Sequence, residues 1–174
     1  NNYPVDVPLS MLFGDLPITE MEVSSTPYEE VNEDDSESYD LNDSIVKVLQ
    51  HPSVASKSFL ITIGDRSVGG MVARDQFVGP YQVPVSDYSL SLRSFTSNSG
   101  EVIAIGEKPT LALNNPAASM RMALAEAITN MAGVVIKGLN SVQVSANWMA
   151  ASGSNKEDLA LRDGVEALSK ISVD

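Results

Sequence analysis

The chain has 174 residues, 43% of them hydrophobic, and contains no cysteine. This is one domain of ordinary size with enough apolar material for a core, and it excludes a disulfide framework, a cysteine-based zinc site and a thiol nucleophile within these residues. The net charge of −12 is concentrated: residues 29–43 carry eight acidic groups and no Lys or Arg. The rest is only mildly acidic and has no Lys/Arg cluster, so nucleic acid is not an expected partner. No apolar stretch reaches membrane-spanning length and no basic-then-apolar leader opens the chain. The expectation is a soluble, cytoplasmic protein with no membrane partner.

In chain order, residues 1–20 contain Val5-Asp-Val-Pro-Leu-Ser-Met-Leu-Phe-Gly14, read as an extended arm that needs a surface to pack on. Residues 21–43 read as an acidic linker, solvated in the plain reading and a partner-binding tail in the alternative. The compact domain then runs over 44–174. Asn42 or Asp43 is placed to cap a short helix through Ile45, Val46, Val48 and Leu49, which Pro52 ends. Ser58-Phe-Leu-Ile-Thr-Ile-Gly64 reads as a buried strand, Asp65-Arg66 as a turn and Ser67–Ala73 as a second extended segment. A loop through Gly79, Pro80 and Pro84 leads to Asp87. Tyr88-Ser-Leu-Ser-Leu-Arg93 alternates at period two, the mark of a half-buried strand, and Val102–Ile105 is another short strand closed by Gly106-Glu107-Lys108-Pro109.

Asn115-Pro116 gives an N-cap and a proline at the first helical position. The helix it opens is predicted to reach about Ile136 and to be buried on most faces, being mainly Ala, Met, Leu, Ile and Val. Ser141–Ser145 reads as a further strand. Ser154-Asn-Lys-Glu157 is a capping box for the last helix, with Leu161, Val165 and Leu168 as its apolar stripe, and the chain stops soon after without an obvious ending. Grouped strands followed by helices predict an α+β domain, with a mixed, largely antiparallel sheet and helices packed on one face.

Two segments carry the chemistry: the Gly/Pro-punctuated loop from Val72 to Asp87, and the helix from Arg121 to Asn130. Glu126 and Asn130 are four residues apart and share a helix face. A carboxylate on a mostly apolar helix needs compensation, and Mg²⁺ supplies it with oxygen ligands, Asp87 being the second carboxylate. The structural alternative is an ion pair of Glu126 with Arg121 or Arg74. Lys57 could reach a phosphate, although its default role is a surface lysine. The glycines at 64, 69, 70 and 79 allow backbone amides to approach a phosphate, but no phosphate-loop or dinucleotide fingerprint is present. His51, at a helix end, and Trp148, a packing anchor, receive no catalytic role. No Gly-x-Ser-x-Gly elbow is present, so no catalytic residue is assigned.

A series of motifs in order resembles the large-type phosphoribosylformylglycinamidine synthase family, the formylglycinamide ribonucleotide amidotransferases of purine biosynthesis. They are Val48-Leu-Gln-His-Pro-Ser-Val-Ala-Ser-Lys57, Gly64-Asp-Arg-Ser-Val68, Ala73-Arg-Asp-Gln76, Val78-Gly-Pro80, Gln82-Val-Pro-Val85, Glu126-Ala-Ile-Thr-Asn130 and Ser145-Ala-Asn-Trp-Met149. The segment Val5–Gly14 resembles what precedes this region in the family, whereas the acidic run departs from it.

The resemblance implies the N-terminal domain of the second aminoimidazole-ribonucleotide-synthetase-like half, with a PurM N-terminal-domain-like fold. The whole enzyme would use glutamine, ATP and formylglycinamide ribonucleotide to make the amidine product, with a separate glutaminase domain and the active site in the first half. In the second half the family holds an auxiliary, largely structural nucleotide (ATP or ADP) with Mg²⁺. Asp87, Glu126 and Asn130 fall on its metal-ligand positions and Ser86 on a nucleotide-contact position, and a further carboxylate comes from the domain that follows. The implied partners are the nucleotide, the remaining domains of the same polypeptide and a homodimer of this piece through its sheet. By itself the chain is then expected to lack amidotransferase activity. The alternatives are a purely structural pairing module and a free-standing aminoimidazole ribonucleotide synthetase-like protein.

Overall fold

Residues 5–14, 18, 20–24, 38–64 and 70–173 are described by a computed structural model of the chain. Most of the acidic run and the predicted turn at Asp65-Arg66 lie outside the described residues. Within the arm that the sequence reads as extended, Leu9–Phe13 forms a short helix, α1. Asp40, rather than Asn42 or Asp43, caps α2 (Leu41–Gln50), its carboxylate accepting from the Asp43 amide at 2.9 Å. The helix stops before Pro52 as expected, at a C-cap on His51.

The predicted strand at 58–64 is instead a helix, α3 (Ser58–Ile63), opened by a bond from the Leu60 amide to the Lys57 carbonyl. Six residues, four of them apolar, are too few for periodicity to separate a buried strand from a helical turn. Here Leu60 is 60% exposed, so the burial that the strand reading required is missing.

Three strands follow: β1 (Val72–Arg74), β2 (Tyr88–Leu92) and β3 (Gly100–Ala104), antiparallel in the order β1-β2-β3. Tyr88 pairs with Ala104 and Leu92 with Gly100. β1 carries an irregularity between Val72 and Arg74. Between β1 and β2 the loop folds back on itself. The Val78 amide donates to the Pro84 carbonyl at 2.9 Å, the Ser86 amide donates to the Gln76 carbonyl at 2.7 Å, and Phe77 bridges Val85. Gly79 turns the loop at a φ of 75° that disfavours a side chain.

After α4 (Pro109–Ala112), α5 spans Pro116–Asn130, capped as predicted by the Asn115 side chain on the Ala118 amide at 2.9 Å. It ends six residues before Ile136, passing into a 3₁₀ turn at Met131–Gly133. Nor is it buried all round: only Pro116, Ser119 and Leu124 are fully covered, because β3 and α6 flank it and the remaining surface, including Arg121, Met122 and Ala125, is open.

The predicted strand at Ser141–Ser145 is not formed. Leu139–Ser141 is a 3₁₀ turn closed by the Ser141 hydroxyl on the Gly138 carbonyl at 2.7 Å, and irregular chain follows. The last helix, α6 (Asn155–Val173), starts where the capping box places it. The residue that reaches back is Asp158, which accepts from the Gly153 amide at 3.1 Å. Its buried stripe is Asp158, Leu159, Gly164 and Ala167, rotated from the predicted Leu161, Val165 and Leu168. Small residues at 164 and 167 let α5 approach closely: a Cβ on Gly164 would stand 3.1 Å from Met120 Cγ. The fold is thus α+β, a three-stranded antiparallel sheet with α5 on one face and α6 behind it. The most buried apolar side chains are Phe77, Leu124, Met131, Leu159 and Ala167.

Candidate functional site

Asp87 immediately precedes β2, and the Tyr88–Ala104 pairing sets it opposite Ile105, just beyond the end of β3. The Asn130 side chain, at the C-terminal end of α5, donates its Nδ2 to the Ile105 carbonyl at 3.1 Å. Asn130 is thus tied to Ile105 from the helix side, while Asp87 lines a groove on the outer face of the sheet with Ile103 and Ile105. Glu126 lies one turn back along α5, on the same face as Asn130.

The exit of β3 runs along α5 in the opposite sense to the helix. Ile105 meets Asn130. Gly106 lies so close to the helix that a Cβ would stand 2.8 Å from the Ala127 amide nitrogen and closer still to the Ala123 carbonyl. The Lys108 carbonyl accepts from the Ser119 hydroxyl at 2.6 Å. Ser119 is 0% exposed, so this bond closes a buried polar pair. From that anchor the Lys108 side chain turns back and its ammonium pairs with Glu126 Oε2. The structural alternative named either Arg121 or Arg74 as the partner of Glu126; the partner is Lys108. Spacing along the helix could not reveal it, since the two are 18 residues apart and meet only because β3 exits across α5.

Ser86 is held from three directions. Its amide donates to the Gln76 carbonyl, its hydroxyl donates to the Tyr88 carbonyl at 2.8 Å, and Arg74 Nε donates to that hydroxyl at 3.4 Å. The Arg74 guanidinium also stacks over the Tyr88 ring, 5.4 Å from its centroid. Arg74, Ser86, Asp87, Ile103 and Ile105 line a groove of about 400 Å³ on the outer face of the sheet. Lys57 is outside that lining, and its ammonium donates to the Ala55 carbonyl at 2.8 Å. A separate hollow beside α1, lined by Leu9, Ser10, Phe13 and Gly14, contains no ionisable side chain.

The oxygen donors at this end of the sheet are two carboxylates and one amide. Among the described residues, no three His, Cys, Asp or Glu side chains cluster as a metal centre. The amide is informative. Its nitrogen is consumed by a carbonyl, which can only accept, so the Asn130 oxygen is the group left to face an incoming ligand. Hard oxygen donors of this kind suit Mg²⁺, which accepts one or two carboxylates and completes its shell with water or phosphate. Among the described residues no helix is long and apolar enough to cross a membrane.

Residues 56–173, roughly two thirds of the chain, match the family of the FGAR-AT PurM_N-like domain. The match begins just before α3 and closes at the end of α6, so it takes in the sheet, α5 and every candidate site residue named above. The chain therefore belongs to the FGAR-AT PurM_N-like domain family, a PurM-like N-terminal domain of the formylglycinamide ribonucleotide amidotransferase of purine biosynthesis.

Proposed function

We propose that this domain comes from the second synthetase-like half of the amidotransferase and contributes an auxiliary nucleotide and magnesium site. Asp87, Glu126 and Asn130 hold the cation and Ser86 contacts the nucleotide, while Lys57, outside the groove and bonded to the Ala55 carbonyl, would have to leave that bond to approach the phosphates. The observation that carries this reading is the orientation of Asn130: the bond to Ile105 commits its nitrogen and leaves its oxygen, on the face of Glu126 and at the ladder end that bears Asp87. Magnesium bound there neutralises phosphate charge and fixes its orientation. The protein's part is to hold oxygen donors in place, through the Ile105 bond at Asn130 and the folded-back 76–86 loop at Ser86 and Asp87. No residue of the domain is given a proton to move. The whole enzyme carries out ATP-dependent amide transfer in the cytoplasm, and this chain alone does not.

The test is thermal unfolding with and without millimolar Mg·ADP. A ligand at 100 times its dissociation constant stabilises the folded state by about 2.7 kcal/mol. The expected result is a rise in Tm for the parent chain that disappears in Asp87→Ala and in Glu126→Ala. An equal rise in the parent and both variants overturns the proposed site. Ammonia-dependent product formation by the purified chain overturns the assignment of the reaction to the remaining domains.

A second reading, a module that pairs sheet to sheet with another such domain, is favoured by Ile103 and Ile105. They stand 59% and 76% exposed on or beside the outer strand. Ile103 and Ile105 share their groove with Ser86 and Asp87, so a paired sheet would cover that side of the proposed site, whereas the Lys108–Glu126 pair and Asn130 lie on the helix side of β3.

A further inference from the structure

Lys108 is built into the site as carefully as the proposed ligands. Its backbone is fixed by the buried Ser119 hydroxyl, two residues after Gly106 lies flush against α5. Ser119 and Glu126 are seven residues apart, two helical turns on one face, roughly 10 Å along the axis. A lysine anchored at the first and directed toward the second reaches Glu126 with its full length, and does so here. Both side chains are about one third exposed, 36% for Lys108 and 33% for Glu126, so the ammonium compensates a carboxylate that is partly withdrawn from water.

We infer that the Lys108 ammonium is an internal competitor for the divalent cation at Glu126: it occupies the carboxylate when no cation is bound and must swing away when one binds. The inference rests on the magnesium site proposed above. Mg²⁺ takes carboxylate oxygens directly at about 2.0–2.1 Å, which leaves no room for an ammonium on the same oxygen. Two positive charges within a few ångströms also repel. Cation affinity is then reduced by the fraction of molecules in which Glu126 is free. The nucleotide's phosphates offer the displaced lysine a new anionic partner, so cation and nucleotide would enter together more readily than the cation alone.

The experiment uses Mn²⁺ without nucleotide, followed by electron paramagnetic resonance, on the parent chain, Lys108→Met, Lys108→Arg and Glu126→Gln, each checked by circular dichroism. Losing a part-exposed ion pair together with a like charge is expected to tighten Mn²⁺ binding by ~3–10-fold in Lys108→Met. Lys108→Arg should stay near the parent and Glu126→Gln should weaken binding. An independent reading on the parent is the rate at which Lys108 is acetylated by acetic anhydride, followed by mass spectrometry, which should rise severalfold on adding Mn²⁺. This second measurement decides the matter if Lys108→Met does not fold. Equal or weaker binding in Lys108→Met, with Glu126→Gln still weakening it, overturns the role of the lysine and leaves the site standing. Binding that is absent throughout, or indifferent to Glu126→Gln, overturns the site and the lysine's role with it.

Discussion

A Cβ on residue 106 would run into the Ala123 carbonyl and the Ala127 amide. Both are backbone atoms inside a helix and cannot rotate away. Gly106→Ala therefore has to push β3 off α5, at a cost of about 1–3 kcal/mol. The displacement should also break the Asn130–Ile105 bond, so the expected outcome is a lower urea midpoint together with loss of Mg·ADP stabilisation. An unchanged midpoint would show that the close approach is not needed. In the sequence this glycine is only the start of a closing turn, because nothing local reveals that a helix ten residues later returns to the same place. Glu126 and Asn130 were legible for the opposite reason: their relation is fixed by helix period alone. Asp87 was named as the second carboxylate from metal chemistry and the family resemblance, and Lys108 was missed because its ion pair is a consequence of tertiary structure.

Helices announced by caps and proline were legible, as with the Asn115–Pro116 start of α5 and Pro52 after α2. β2 was legible from its strict alternation, and β3 from the short segment at Val102–Ile105 that a glycine closes. Short apolar or mixed runs, 58–64 and 141–145, were not, since they carry no period long enough to choose a conformation. Within α6 the apolar stripe was misjudged by one position because small residues, Gly164 and Ala167, make the contact with α5 and larger ones are left at its edge. The outer side of α6 carries Glu166 and Lys170, an i,i+4 pair at 2.6 Å with the acid nearer the N-terminus, the favourable order. The Lys170 hydrogen bond, then its charge, with a smaller push from Arg162, hold the Glu166 carboxyl below its ordinary pKa. A lowered carboxyl pKa contributes stability above the ordinary carboxylate range, and that contribution is lost as pH falls through the lowered value. Tm of the parent should therefore exceed that of Glu166→Gln slightly at neutral pH, the gap closing in acid and in molar salt. A gap that persists in acid would assign it to something other than this pair.

At the scale of the molecule, one face of the sheet is covered by α5 and the other is open. The solvated side of an antiparallel sheet is ordinarily polar, and Ser89 and Glu101 conform. Ile103 and the neighbouring Ile105 do not, and with Val72 and Val85 they form an apolar strip along the groove. A strip of this kind, rimmed by serine and charged groups, is what a surface looks like when another surface covers it. A second domain of the same type, in the amidotransferase or as another copy of this chain, offers a matching strip by symmetry. Sedimentation velocity should then show a concentration-dependent dimer. Ile103→Glu places a charge at the centre of each copy's strip and, across a two-fold axis, sets like charges near one another. Its dimer should dissociate at least ~10-fold more readily, the cost of burying an uncompensated carboxylate being above 1.4 kcal/mol. Ile103 lines the same groove as Ser86 and Asp87, so loss of the Mg·ADP rise in Tm in this variant would show that the pairing surface and the nucleotide site overlap. A parent chain that stays monomeric at hundreds of micromolar, or a dimer unmoved by Ile103→Glu, would remove the sheet face as the pairing surface and leave the exposed apolar residues of α2, Ile45 and Leu49 among them, as the surface to examine next.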